Sequence, residues 1–264
     1  MSVGVVIAGG NGRMGQALME AISASEGLHL VAVTLAPGEQ PPLSSPVAAE
    51  LYTHDTDAAL TGAQVLIDFT SPSATEAHAE ACARHGVAWV LGTTGLNGAQ
   101  QAAVARAAAS VPVCQAANFS SGVTIMLRLV ELATRAMDAD TDLEVIEAHH
   151  RYKVDAPSGT ALAIGKAMAA GRDSDLDALA VMSREGITGE RPDGAIGFAT
   201  IRGGDIVGDH TALLAADGER LEISHRASSR QAFARGACRA ALWLIGRDAG
   251  LYDMQDVLGL REGD

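Results

Sequence analysis

Short apolar runs alternate with amphipathic stretches through the first half of the chain. The segment Val3 to Ala8 holds no polar side chain, as expected for a parallel strand covered on both faces, and Met14 to Ala24 carries the period of a helix. The rhythm then repeats. Strands are predicted over 28–35, 65–69, 87–91 and 111–116, and helices over 73–85 and 99–109, with Gly86 where a helix-ending glycine belongs. The Pro/Gly/Ser-rich stretch 36–46 is expected to be a mobile loop. A β–α–β succession of this kind predicts a Rossmann-type, doubly wound parallel sheet.

The pattern changes after Asn118. A long amphipathic helix is predicted over 120–137, with Val123, Met126, Leu127 and Val130 on one stripe. A strand over 143–148 and a helix over 160–170 follow. Strand candidates at 178–183, 196–202, 205–210, 211–215 and 220–225 have no long helices between them. They predict an α+β domain with an open mixed or antiparallel sheet, before a last helix over 231–245. The expected division is a dinucleotide-binding domain over 1–119, completed by 230–264, and a substrate-binding and oligomerisation domain over 120–229.

Between the first strand and helix stands Gly10-Asn11-Gly12-Arg13-Met14-Gly15, a G-x-G-x-x-G. The glycines allow a tight turn, approach of a pyrophosphate and close helix–strand packing, and the helix N-terminus stabilises the anion. A tight turn with no ligand is the plain alternative. The next strand should end in an acid that grips a ribose, but Leu35 and Ala36 stand there. Glu39 lies further along the loop, a poor substitute by position. Cofactor discrimination is therefore expected to be weak, under about tenfold. Gly92-Thr93-Thr94-Gly95 and Ala116-Ala117-Asn118-Phe119 also end predicted strands, where α/β sheets bind ligands. Each reads equally as a turn or helix cap.

A net charge of −13 and an aromatic fraction of 3% argue against a nucleic-acid partner. No apolar run is long enough for a bilayer, and no signal peptide is recognised, so a cytoplasmic protein without membrane partners is expected. Cys82, Cys114 and Cys238 are odd in number and far apart, which suggests neither a disulfide framework nor a zinc site.

Against that acidic background, His149-His150-Arg151-Tyr152-Lys153 is a cationic island. Histidine transfers protons near neutral pH, and lysine holds a carboxylate or donates a proton. Asp155-Ala156-Pro157 predicts an extended turn. Ser158, Gly159 and Thr160 then offer unsatisfied N–H groups at a helix start, a site for a carboxylate, although Ser158 fits a simple N-cap equally well. Metal binding by His149 and His150 is not expected, since neighbours on a strand diverge. Arg230, just before the last helix, is either an anion ligand or a surface arginine.

With these residues the chain resembles the 4-hydroxy-tetrahydrodipicolinate reductase family, also called dihydrodipicolinate reductases, over nearly its whole length. The resemblance is carried by the Ala8-to-Gly15 loop, Asp68-Phe69-Thr70, Gly92 to Gly95 and Ala116 to Ser120. It is carried most specifically by Glu147 to Thr160, E-A-H-H-R-Y-K-V-D-A-P-S-G-T, with further matches at Ser183 to Gly186, Gly189 to Arg191 and Ala227 to Arg230. It implies an oxidoreductase of diaminopimelate and lysine biosynthesis that reduces a small cyclic dicarboxylate with NADH or NADPH. It also implies His149 as the catalytic acid/base and Lys153 as proton donor. His150, Lys153, Ser158, Gly159, Thr160 and Arg230 would hold the substrate. Gly9, Gly10, Asn11, Gly12, Arg13, Met14, Gly92, Thr93, Thr94, Ala116, Ala117, Asn118 and Phe119 would contact the cofactor, with no metal. A homotetramer through the second domain's sheet is implied too. The chain departs from the family at Leu35 and Ala36, where members commonly carry an acid and an arginine, and Tyr152 has no assigned role. A non-catalytic nucleotide sensor and a related imine or amino-acid dehydrogenase are the rival expectations.

Overall fold

A computed structural model describes residues 2–42 and 44–261. The chain divides into two compact units, Met1–Ser121 with Arg230–Asp264, and Gly122–Ser229.

The first unit opens with β1 (Val3–Ala8), α1 (Arg13–Ser23), β2 (Leu28–Thr34), β3 (Tyr52–Thr53) and α2 (Thr56–Leu60). It continues through β4 (Val65–Asp68), α3 (Thr75–His85), β5 (Ala88–Leu91), α4 (Gly98–Ala108) and β6 (Pro112–Gln115). The chain returns to it with α8 (Gln231–Leu244), β12 (Gly250–Tyr252) and α9 (Met254–Leu258). Its strands form one parallel sheet in the order β12-β6-β5-β4-β1-β2-β3. Strand order reverses beside β1, and the crevice at such a switch point is where doubly wound sheets take ligands.

The period-2 alternation of the buried strands feeds two cores. Val5, Ile7, Ile67 and Val90 pack with Leu18 of α1 and with Ala237, Ala241 and Leu244 of α8. Val6, Leu66, Trp89 and Leu91 pack with Cys82 of α3 and with Val104 and Ala107 of α4. Cys82, Cys114 and Cys238 are all buried among these side chains. Burial pushes the thiols of Cys114 and Cys238 up to about 12, which suits inert packing groups.

The second unit holds α5 (Ser121–Ala136), β7 (Asp142–His149), α6 (Gly159–Gly171), α7 (Leu176–Leu179), β8 (Ala180–Val181), β9 (Ile196–Arg202), β10 (Gly208–Ala216) and β11 (Glu219–Ala227). The sheet order is β11-β10-β7-β9-β8, parallel from β7 to β8 and antiparallel at β10 and β11. Met126 and Val130 of α5 and Ile164 and Met168 of α6 cover Leu143, Val145, Phe198, Ala212 and Leu214 on one face.

The mixed sheet is therefore present, with differences in detail. The two strands predicted over 205–215 are one, because β10 pairs without a break with β7 and β11. The stretch predicted as a strand over 178–183 is the end of a short helix and a two-residue strand. The elements β3, α2, β12 and α9 go unpredicted, being five residues or fewer. Leu43, inside the expected mobile loop, lies outside the described residues.

Helix α8 seats closely at Gly236, where an added Cβ would stand 1.7 Å from the carbonyl oxygen of Phe119. Gly236→Ala is expected to destabilise the first unit by about 1–3 kcal/mol, the usual cost of overpacking. Thermal melting monitored by circular dichroism checks this. Gly98→Ala, where an added Cβ meets nothing within 4 Å, is the control and should melt near the wild type.

Candidate active site and cofactor cleft

Strand β7 runs out of the second unit's core into a polar cluster. Leu143, Val145, Glu147 and His149 share one face by strand alternation, and all four are buried. Register brings partners to the same level, since Glu147 is opposite His210 of β10 and Thr200 of β9, and His149 is opposite Arg202. Glu147 accepts from His149 Nδ1 at 2.6 Å, from Arg202 Nη1 and Nη2 at 2.8 Å each, and from the Ser158 N–H at 3.1 Å. The fork-to-fork Arg202 pair is the strong form of a charge-assisted contact. Burial alone would raise the Glu147 carboxyl, but Arg202, His149 and the Ser158 amide outweigh it and hold it down to about 2.

Glu147 therefore fixes one nitrogen of His149 and leaves Nε2 as the ring's free edge. Gly208 clears that edge, because a Cβ at 208 would sit 3.0 Å from Nε2. The His210 ring stands edge-on to His149, with centroids 5.0 Å apart. Burial, then the neighbouring His149, push His210 down to about 4, so it is a neutral imidazole at neutral pH. Its Nε2 lies 3.0 Å from Ser158 Oγ.

The following loop differs in part from expectation. Ser158 caps α6 by accepting from the Ala161 N–H, and its own N–H is taken by Glu147, so it is not an unsatisfied donor. Gly159 remains open, with no residue within 4 Å of its missing side chain, and Thr160 is the next residue of α6. Lys153 Nζ donates to Asp155 Oδ1 at 2.8 Å, so the ammonium is already paired. His150 Nδ1 is buried and has no hydrogen-bond partner among the described residues. Tyr152 is exposed. Arg230 belongs to the first unit, where it precedes α8 and lines a hollow with Arg13, Gln16 and Glu20.

The first unit carries a cleft of about 610 Å³ at the C-terminal ends of β1, β2 and β4, whose walls include Gly9, Gly12, Leu35, Glu39, Thr70 and His78. Gly15 is demanded by packing, since its Cβ would meet the Gly9 carbonyl at 2.4 Å. Gly12 is not so constrained, its nearest neighbour being that same oxygen at 3.3 Å. It precedes α1 with no side-chain cap, leaving first-turn N–H groups for an anion. This suits a dinucleotide pyrophosphate. Among the expected cofactor contacts, Gly9 and Gly12 are in the cleft wall. Gly10, Asn11, Arg13 and Met14 belong to the same loop and helix start. Gly92, Thr93 and Thr94 follow β5, and Ala116, Ala117, Asn118 and Phe119 follow β6.

Asp68, fully buried at the end of β4, ties these ends together. It accepts from the Thr70 N–H and hydroxyl, the Thr93 hydroxyl and His78 Nδ1, at 2.9, 2.6, 3.2 and 2.7 Å. Burial opposes its charge, while His78 and Thr70 outweigh burial and keep the carboxyl below its ordinary range. Phe69 packs edge-on against Phe119, with centroids 5.3 Å apart. Sequence reasoning assigned no role to Glu147, Thr200, Arg202, His210, Asp68 or His78. Of these, Glu147 carried a signal in its place two residues before His149 on a strand, and Asp68 in the Asp68-Phe69-Thr70 motif.

The Glu147 carboxyl lies below its ordinary value of 4.5, so its stabilisation is full above that pH and is lost as pH falls from there through about 2. At pH 7 this amounts to on the order of 3 kcal/mol. Glu147→Gln is expected to lower the melting temperature at pH 7 and to flatten its decline between pH 5 and 2. A variant with the wild-type acid limb would contradict the arrangement.

The chain matches the family model described as "Dihydrodipicolinate reductase, N-terminus" over residues 3–119 and that described as "Dihydrodipicolinate reductase, C-terminus" over 122–258. It is 54% identical to a 4-hydroxy-tetrahydrodipicolinate reductase of Thiobacillus denitrificans, over 99% of this chain and 100% of that one. A protein of the same name from Alkalilimnicola ehrlichii is 52% identical, over 98% of this chain and 100% of the relative. Among solved structures, a dipicolinate-bound dihydrodipicolinate reductase from a Paenisporosarcina species superposes with a TM-score of 0.80 at 25% identity, over 97% of this chain and 99% of that one. The chain belongs to the dihydrodipicolinate reductase family.

Proposed function

We propose that the chain reduces 4-hydroxy-tetrahydrodipicolinate, by way of dihydrodipicolinate, to tetrahydrodipicolinate, with NADH or NADPH, in diaminopimelate and lysine biosynthesis. The observation that carries the reading is His149, held at Nδ1 by a buried, doubly arginine-bonded Glu147, beside the start of α6. A reduced nicotinamide, when bound, supplies the hydride. The chain's own residues then have separate tasks. His149 delivers a proton from Nε2, while Glu147 keeps Nδ1 protonated and the ring oriented. Lys153 exchanges its exposed bond to Asp155 for a substrate carboxylate, a cheap exchange because surface ion pairs contribute little. Gly159 and Thr160 at the start of α6 receive the other carboxylate, with His150 as a further ligand. Gly9 to Met14, Gly92 to Thr94 and Ala116 to Phe119 hold the cofactor. The sensor alternative gains no support, since it has no use for an oriented imidazole.

Among the described residues no helix is long and apolar enough to cross a membrane. A cytoplasmic homotetramer is part of the proposal. Strand β11 supports assembly, for it is a nine-residue edge strand with Leu221 exposed.

His149→Ala and Lys153→Ala are each expected to lower kcat by about 10²–10⁴-fold, the range for losing a positioned proton donor. Turnover is followed by loss of reduced-nucleotide absorbance. Near-normal rates in both variants would reject the assigned roles. Light scattering is expected to return four times the chain mass, and a monomer at working concentration would remove the assembly.

A further inference from the structure

The cofactor reading leaves one gap in the cleft, the absence of an acid at the end of β2. The strand stops at Thr34, Leu35 is buried, and Ala36 carries no functional group. The residues that follow are Ala36-Pro37-Gly38-Glu39. They form a tight turn closed by the Glu39 N–H on the Ala36 carbonyl at 3.1 Å, with Gly38 at φ 85°. Proline second and glycine third is the residue pattern of a type II turn, whose third position needs a positive φ. The turn folds the chain back on itself. Glu39, four residues beyond Leu35, lands where the strand-end acid is missing. Its Oε2 accepts from the Ala36 N–H at 3.2 Å and from Asn11 Nδ2 of the glycine loop at 3.1 Å. Asn11 Nδ2 also reaches the Gln40 carbonyl at 3.1 Å, which ties the turn to the loop.

Glu39 is half-buried and lines the same cleft as Gly9 and Gly12. With Oε2 occupied, Oε1 has no hydrogen-bond partner among the described residues. The cleft wall contains no lysine or arginine among those residues. Its imidazoles are His54 and His78, and His78 is bonded to Asp68.

We infer that Glu39 is the cofactor-specificity residue of this chain: its carboxylate accepts the adenosine ribose hydroxyls of NADH and repels the 2′-phosphate of NADPH. The inference rests on the cofactor reading above. It replaces the expectation of weak discrimination drawn from Leu35 and Ala36 alone, because the turn restores in space what the strand lacks in sequence. Asn11 gains a role as well, as a positioning residue that aims the carboxylate from the glycine loop.

Titration calorimetry with NADH and NADPH separately tests this without recourse to turnover. The wild type is expected to bind NADH at least about tenfold more tightly than NADPH. Glu39→Ala should weaken NADH by about tenfold or more, as for loss of a hydrogen bond to a charged group, and leave NADPH no weaker. Glu39→Gln keeps the shape and removes the charge, so NADPH should bind several times more tightly. Gly38→Ala keeps the carboxylate but strains the turn, and should weaken NADH while leaving the fold intact by circular dichroism. A wild type that binds the two nucleotides equally, or a preference that Glu39→Ala leaves unchanged, would overturn the assignment of Glu39 while leaving the cofactor site in place. A wild type that binds neither nucleotide would overturn the site itself.

Discussion

The active-site end of the second unit depends on one buried charge. Glu147 lies on the covered face of β7, where an isolated carboxylate would be costly. Its oxygens are satisfied from three directions, by the Arg202 fork from β9, the imidazole of its own strand and the amide that begins α6. Each donor comes from a different segment of the unit. The carboxylate therefore fixes β9, the His149 ring and the start of α6 relative to one another. A hydrophobic residue of the same size could be as stable. It could not orient the imidazole.

Asp68 solves a related problem in the first unit with another outcome. It too is a buried carboxylate at the C-terminal end of a strand, and it too bonds an imidazole Nδ1. Its remaining bonds go to Thr70 and Thr93, the residues that begin the turns after β4 and β5. Asp68 thus organises loops at the switch point, whereas Glu147 orients an imidazole through its Nδ1. His78 lines the cleft wall, and Gly208 spares His149 Nε2 a side chain that would stand 3.0 Å away. The same pair of residue types lines a cleft wall in the first unit and stands beside the start of α6 in the second.

The legible parts of the fold were those encoded by local period. The core strands β1 and β4 and the amphipathic helices α1, α5 and α8 announce themselves through apolar spacing, and the glycine loop through its place between strand and helix. The short elements escaped because two to five residues hold no period. In the site, His149, Lys153 and Ser158 were visible because they are neighbours in sequence. Arg202 and His210 were not, since only the register of β9 and β10 against β7 brings them to Glu147. Asp155, read only as part of a turn, pairs with Lys153.

The same distinction between order along the chain and position in space applies to the ribose end of the cleft. A comparison of aligned residues sees an aliphatic pair at Leu35 and Ala36 and concludes that the acid is gone. The physical requirement, however, is a carboxylate oxygen beside the first glycine loop, and it does not specify the route by which the chain delivers it. Pro37 sets one turn dihedral, Gly38 accepts the other, and Asn11 anchors the result. Leu35 is then free to serve the core: an added Cβ on Gly10 would lie 3.6 Å from its side chain, within packing distance of the loop it would otherwise have crowded. Moving the acid by one turn separates two tasks, sealing the strand end and gripping the ribose, that a single strand-end residue would have to combine.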